Sequence, residues 1–325
     1  MTRELLIMRH GKAKDPLGIA DRDRPLKTRG KRQAQRMGAW LQEQGLQPDL
    51  TVASPAERAL VTAQKMLKAG GLNTHDITVD DRIYNASVER LLDVLASYGD
   101  GPERLLMVGH NPGLEGLVHY LAPLSLPGTD DGRLLKTGTL IHLSMPDDWQ
   151  QLDRDCATIR HYIRPDCLPA RFPFAGAQGR EWRDRPAYYY TQSAVIPYRW
   201  NAQGMIEILV ITSSSKGHWV VPKGIHEPGL SAQESAAREA EEEAGVRGPV
   251  HPDAIGTYRY EKWGATCEVA VYPMKVTDIL NADIWEESHR QRRWVAPDIA
   301  ARHIKEDGLK AMILQFAASP PAEDH

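Results

Sequence analysis

Apolar positions divide the chain into two textures. Up to about residue 163, short apolar runs ("ELLIM", "DLTVAS", "RLLMVGH", "TLIHLSM") alternate with "KTRGKRQAQRMGAWLQEQG" and "SPAERALVTAQKMLKAGG", where apolar residues recur at helical spacing. This alternation predicts an α/β domain over 1–163, an open sheet flanked by helices. In 164–187 the period is lost: Pro165, Pro169, Pro173 and Pro186, with Gly176 and Gly179, predict a linker. Beyond it, "YYYTQSAVIPYR", "IEILVITSS", "HWVVPKG", "GTYRYEKW" and "CEVAVYPMKV" predict strands, and 232–244 and "DGLKAMILQFAA" predict helices. That half, 188–318, predicts an α+β domain, and 319–325 ("SPPAEDH") a frayed tail.

The length of 325 residues agrees with two domains. Apolar content of 42%, charged content of 26% and a net charge of -3 describe a globular chain with no overall bias toward nucleic acid or membrane. No apolar run reaches the ~20 residues that span a bilayer, and "MTRELLIMRH" is too short in its apolar part for a secretory signal, so a cytoplasmic location is expected. Cys156, Cys167 and Cys267 have no metal-site spacing and are expected as free thiols.

Two predicted strands deliver a histidine each to the same sheet edge. "LLIM" runs into Arg9, His10 and Gly11, and "LLMV" into Gly109, His110 and Asn111; open α/β sheets keep their sites at these carboxyl ends. Between them, "SPAERALVTA" opens a helix with Arg58 in its first turn, a group suited to a phosphoryl oxygen. Either histidine alone could be an ordinary buried one. From Arg9 to Arg36, ten Lys and Arg stand against Asp15, Asp21 and Asp23, which is either a solvated face or a steering field for a polyanionic substrate. Stacking aromatics do not accompany this charge, so nucleic acid is not expected.

The Arg9-His10-Gly11 motif, with Arg58 and His110, resembles the histidine phosphatase superfamily, and over 1–150 the chain looks most like short phosphohistidine phosphatases. The resemblance implies that His10 takes a phosphoryl group on a ring nitrogen while Arg9, Arg58 and His110 neutralise its oxygens, with no metal. A neutral imidazole is required, and the arginines are expected to hold its pKa down. Glu89 is a candidate leaving-group acid, but its helical context favours the surface. The acid therefore stays unassigned, which favours good leaving groups such as phosphohistidine or a phosphoanhydride.

In the second half, Ser231 and Glu234 form a capping box and Gly245 a stop for a helix over 232–244. Glu239, Glu242 and Glu243 share one arc of its wheel while Glu241 points away, and Ala236, Ala240 and Ala244 form a small strip for close packing. The carboxylates are a solvated acidic face or ligands for a hard cation, Mg²⁺ or Mn²⁺. Residues 224–246 resemble the Nudix box, Gly224 followed by "REAEEEAGV", which implies a Nudix hydrolase over about 188–318 with an α/β/α sandwich. By that match Glu239, Glu242 and Glu243 hold the metal and Arg238 orients a carboxylate; the base is Glu239, Glu243 or a glutamate outside the box. Leu230 stands where the box has a glutamate. Lys223 in "VVPKG" and Arg290 in "HRQRRW" are expected to bind further phosphates, the latter run being equally a plain surface patch.

Ser213 to Lys216 reads S-x-x-K and Lys136 to Gly138 reads K-T-G, but in the wrong order for penicillin-recognising enzymes, and "SSSKG" predicts a hairpin turn. The sequence thus leads to a two-domain phosphohydrolase of polyphosphorylated metabolites. Its alternatives are a phosphohistidine protein phosphatase targeted by its second domain, and one regulated by a ligand-sensing Nudix domain.

Overall fold

The computed structural model describes residues 3–98, 101–123, 134–214 and 217–320. It divides into two compact units, Met1–Pro173 and Phe174–His325. The first is built from β1 (Arg3–Arg9), α1 (Thr28–Gln44), β2 (Leu50–Ala53), α2 (Glu57–Ala69), β3 (Ile77–Val79), α3 (Val88–Ser97), β4 (Arg104–Gly109), α4 (Gly113–Leu121), β5 (Leu140–Met145) and β6 (Thr158–Ile163).

Its sheet has the order β3-β2-β4-β1-β5-β6, parallel from β3 to β1 and antiparallel at β5 and β6. Successive strand residues serve opposite cores. Leu5, Ile7, Leu105 and Met107 meet α3 and α4 through Leu91, Leu95, Leu114 and Leu117. Leu6, Met8, Leu106 and Val108 meet α1 and α2 through Met37, Ala59, Ala63 and Met66. Both faces are covered, so these strands read as continuous apolar runs.

Residues 164–187, expected as a linker, carry a 3₁₀ turn (Pro165–Cys167), two short paired strands, β7 (Phe172–Gly176) and β8 (Gly179–Arg183), and the start of a second 3₁₀ turn. The prolines obscured these elements because they sit at turns and strand ends. Phe172 is buried under the Arg32 guanidinium, 4.7 Å from its ring centroid.

The second unit comprises β9 (Thr191–Trp200), β10 (Ile206–Thr212), β11 (Trp219–Val220), β12 (Lys223–Ile225), α5 (Ala232–Ala244), β13 (Val246–Arg247), β14 (Gly256–Lys262), β15 (Ala265–Lys275), β16 (Asp278–Ile279), β17 (Arg292–Val295), α6 (Pro297–His303) and α7 (Asp307–Ala318). Its main sheet runs β11-β10-β9-β15-β14, with β12 added to β9 and β17 to β10. α5 covers one face through Ala236, Ala240 and Ala244, packed with Val195, Leu209 and Ile211. α6 and α7 cover the other through Ala300, Leu309 and Ile313, packed with Ala194, Ile196 and Ile208. This is the expected α/β/α arrangement. "YYY" folds as a 3₁₀ turn (Ala187–Tyr190) where strand was expected, and "HWVVPKG" is split between β11 and β12. Ser215 and Lys216 of the predicted turn, and 321–325 of the predicted tail, lie outside the described residues. Among the described residues, no helix is long and apolar enough to cross a membrane.

Candidate functional site

β4 is inserted between β1 and β2, so the carboxyl ends of β1 and β4 are neighbours, with Arg9 paired to Gly109. The next residues are His10 and His110, whose ring centroids lie 5.1 Å apart. Gly11 then passes so close to the first turn of α1 that a Cβ there would stand 2.6 Å from the Gly30 carbonyl oxygen. Its N–H donates to Thr62 Oγ1 at 2.9 Å, and that hydroxyl donates to the Arg58 carbonyl at 2.6 Å. The loop carrying the nucleophile candidate is thereby tied to α2, which carries Arg58.

The His10 Nδ1–H donates to the Gly11 carbonyl at 2.8 Å, leaving the lone pair on Nε2. Burial, then Arg58, Arg9 and Arg24, bring His10 down to about 4, against the raising effect of the Gly11 hydrogen bond. The arginines act as expected, but desolvation is the larger cause. His110, buried and hydrogen-bonded through Nε2 to Ser54 Oγ at 2.8 Å, is brought down to about 3 by burial, His10 and Arg58. Both rings are therefore neutral near pH 7.

Arg9, His10, Arg58 and His110 line one pocket of about 370 Å³, together with Lys12, Asp21, Arg24, Asn85, Asn111 and Thr137. Arg9 is fixed by donation to the Leu135 carbonyl at 2.7 Å. Arg58 is buried and donates to the Asp21 carbonyl and, at 2.7 Å, to its Oδ2. Asp21 also accepts from Tyr84 at 2.8 Å and Arg24 at 2.9 Å. These bonds, led by that of Arg24, hold its carboxyl well below the usual range, so it stays ionised and cannot protonate a leaving group. Glu89 is exposed on α3 and does not line the pocket. Reading the sequence missed Lys12, Asp21 and Arg24 as lining residues and Tyr84 as the partner of Asp21; the basic run was the signal for the first three, but only the fold turns selected members inward.

In the second unit, α5 has both halves of the capping box, and Gly245 ends it in the left-handed region at φ 60°. The three carboxylates of its arc take different partners. Glu239 lies against Gly224, where a Cβ would stand 1.9 Å from its Oε1. Glu242 Oε1 accepts from Arg238 Nε at 2.6 Å. Glu243 accepts from Arg290 at 2.6 Å and from the Lys223 N–H at 3.0 Å. Among the described residues, no three His, Cys, Asp or Glu side chains form a group able to hold a metal ion as they stand. Glu242 and Glu243 each gain by turning to an arginine, whereas Glu239 remains against backbone.

The donor chemistry nevertheless fits a hard cation. Glu239 is pushed up to about 8 by burial and by Glu243, Glu242, Glu227 and Glu287, an excess of negative charge on oxygen ligands. Arg290, expected to bind phosphate, is corrected to a different place: it is buried, and its guanidinium donates to Glu243, Glu287 and the Thr212 carbonyl. Lys223 donates from Nζ to Tyr260 at 3.1 Å, and burial lowers its pKa. Leu230 keeps a structural contact, its carbonyl hydrogen-bonded to His226 Nε2 at 2.8 Å, while Glu227, three residues earlier, is the loop carboxylate that raises Glu239.

Comparison with known proteins matches residues 5–91 to the model of the histidine phosphatase superfamily (branch 1) and residues 190–316 to that of the NUDIX domain. An uncharacterised protein of Mycobacterium tuberculosis is 32% identical over 158 residues, 47% of this chain and 96% of its own length. Nudix hydrolase 21, chloroplastic, of Arabidopsis thaliana is 35% identical over 120 residues, 35% of this chain; the match spans 59% of that protein. Among solved structures, the protein histidine phosphatase SixA complexed with tungstate matches with a TM-score of 0.43 and 23% identity, over 51% of this chain and 99% of its own. The chain is a hydrolase that joins a histidine phosphatase superfamily (branch 1) segment to a NUDIX domain.

Proposed function

We propose a bifunctional phosphohydrolase acting on polyphosphorylated small molecules. The observation that carries the first activity is His10 itself, a neutral imidazole with Nδ1 engaged and the Nε2 lone pair free beside Arg9, Arg58 and His110. Nε2 attacks phosphorus, an N–P bond forms, and the bond to the leaving group breaks with its electron pair leaving on that group. Water then cleaves the N–P bond, releasing phosphate and restoring His10. Arg9 and Arg58 balance the charge of the phosphoryl oxygens throughout. With Asp21 held ionised and Glu89 remote, leaving groups that depart without strong acid assistance suit the pocket: an anhydride phosphate or the imidazole of phosphohistidine.

The second activity is cleavage of a diphosphate linkage at the acidic face of α5. Glu239, Glu242 and Glu243 would hold Mg²⁺ or Mn²⁺, which supplies an activated water and charge neutralisation when bound. Arg238 and Arg290 orient Glu242 and Glu243, and Lys223 would meet substrate phosphates. Diadenosine polyphosphates, diphosphoinositol polyphosphates and nucleoside triphosphates are the substrate classes. The two domains act in sequence, the first site removing phosphate from the second's product. Leu230 and the glutamates' engagement with arginine favour a second reading, a ligand-sensing Nudix domain that regulates a phosphatase.

Phosphorus NMR of products from these substrates and a phosphohistidine peptide, with Mg²⁺ and with EDTA, tests both. Mg²⁺-dependent diphosphate cleavage abolished by Glu239→Gln, and EDTA-resistant phosphate release abolished by His10→Ala, is the expected pattern. Phosphate release surviving His10→Ala overturns the first assignment. Binding without Mg²⁺-dependent cleavage replaces the second with sensing. An unchanged product distribution after His10→Ala removes the coupling.

A further inference from the structure

A second cavity of the N-terminal unit, about 420 Å³, plays no part in the chemistry above. Arg29, Arg32, Arg36, Lys136 and Arg164 line it, against Asp166 alone among its acidic neighbours. Asp166 lies 3.5 Å from Arg164, and Arg32 is engaged by the Ala170 carbonyl and the Phe172 ring. Arg29 and Arg36 have no carboxylate partner among the described residues. Two polar atoms of the lining residues are buried without a hydrogen bond: Thr139 Oγ1, on a fully buried residue, and Arg36 Nε. Thr28 adds the start of α1, whose first turn holds no acidic residue and whose N-cap side chain makes no capping bond. Cations, a helix N-terminus and unsatisfied buried polar groups all call for an anion with several oxygens.

The cavity adjoins the His10 pocket, because Thr137 lines both. Thr137 belongs to the Lys136-Thr137-Gly138 turn, the K-T-G match that acyl-transfer chemistry left unused. The Gly138 N–H bridges the Arg9 and His10 carbonyls at 3.1 Å each, which fixes this turn as the wall between the two spaces.

We infer that the cavity is a polyanion subsite, holding the distal phosphates of a small-molecule oligophosphate whose terminal phosphoryl group reaches His10. The inference rests on His10 as nucleophile. It makes an oligophosphate the preferred ligand over a monophosphate or a phosphorylated side chain.

The test is inhibition of phosphoramidate hydrolysis by the full chain in EDTA, comparing inorganic tripolyphosphate with orthophosphate. Tripolyphosphate is expected to inhibit at least about tenfold more tightly, and Arg36→Gln with Lys136→Gln to bring the two constants within about threefold. Equal inhibition by the two anions in the wild type, or an unaltered ratio in the double variant, overturns the subsite. Arg29→Gln, at an exposed helix position, gives the same comparison should the double variant not fold. Failure of the wild type to hydrolyse phosphoramidate overturns the His10 reading instead; calorimetric titration of tripolyphosphate into the same proteins then tests the cavity alone, with loss of binding in the variants expected and unchanged binding overturning it.

Discussion

His10 and His110 bring their rings to 5.1 Å because the residues before them, Arg9 and Gly109, are register partners on adjacent parallel strands. The pair is thus a property of the sheet. A slip of one residue in β4 would carry Gly109, and with it the approach of His110, to the opposite face.

Acid should affect this site later than it affects free histidine, but stability earlier. Neutral His10 persists down to about 4, so the acid limb of kcat/KM for phosphoramidate should lie near there once the substrate's own titration is removed. An unfolded chain binds these protons near the ordinary histidine value of 6.5, while folded His10 and His110 wait until about 4 and about 3. The unfolded state therefore holds more protons in between, and stability falls as pH drops through that window. Thermal melts from neutral pH to pH ~4.5 should show a smaller decline in His10→Gln with His110→Gln than in the wild type. Equal declines would sink the assignment.

Asp21 neutralises part of the arginine charge that would otherwise act wholly on phosphate. Asp21→Asn keeps an oxygen for Arg58 but removes the charge. Inhibition by orthophosphate should then tighten about threefold to tenfold, consistent with ~1 kcal/mol for one partly exposed ion pair. Unchanged inhibition would show that Asp21 does not tune the pocket.

At Gly38, α1 passes close to α2. A Cβ there would stand 1.9 Å from the Met66 carbonyl oxygen, backbone that cannot rotate away. Gly38→Ala should cost about 1–3 kcal/mol in denaturant unfolding through overpacking. A neutral result would mean that the helices separate freely.

Arg290 is the cation that Glu243 and Glu287 share. Arg290→Met strands two carboxylates, and breaking a buried pair typically costs about 3–5 kcal/mol, reduced here because Glu287 is about one-third exposed. Added Mg²⁺ should recover more melting temperature in this variant than in the wild type. Equal responses to Mg²⁺ would argue against cation binding on this face.

The most legible parts of the sequence were those where local rules and tertiary contacts agree. Ser231, Glu234 and Gly245 fixed the ends of α5, and the runs before His10 and His110 became β1 and β4 as read. Arg290 illustrates the opposite case. A basic residue in a basic run invites a phosphate, and nothing local reveals that Glu243, 47 positions earlier, will claim its guanidinium. Asp21 was hidden likewise, since its partner Arg58 is brought to it by α2. The strands at 172–183 were obscured by Pro173, which the fold accommodates as the second residue of β7.

On α5 the fully buried positions Ala236, Ala240 and Ala244 occupy one arc and the glutamates another. What holds the helix in the protein is therefore nearly independent of what the helix offers to a ligand. Substitutions at Glu239 or Glu242 on the acidic arc leave that apolar packing untouched, whereas loss of Glu243 would strand the buried Arg290. A domain built this way can pass between hydrolysis and mere recognition by point substitution, with its architecture left intact.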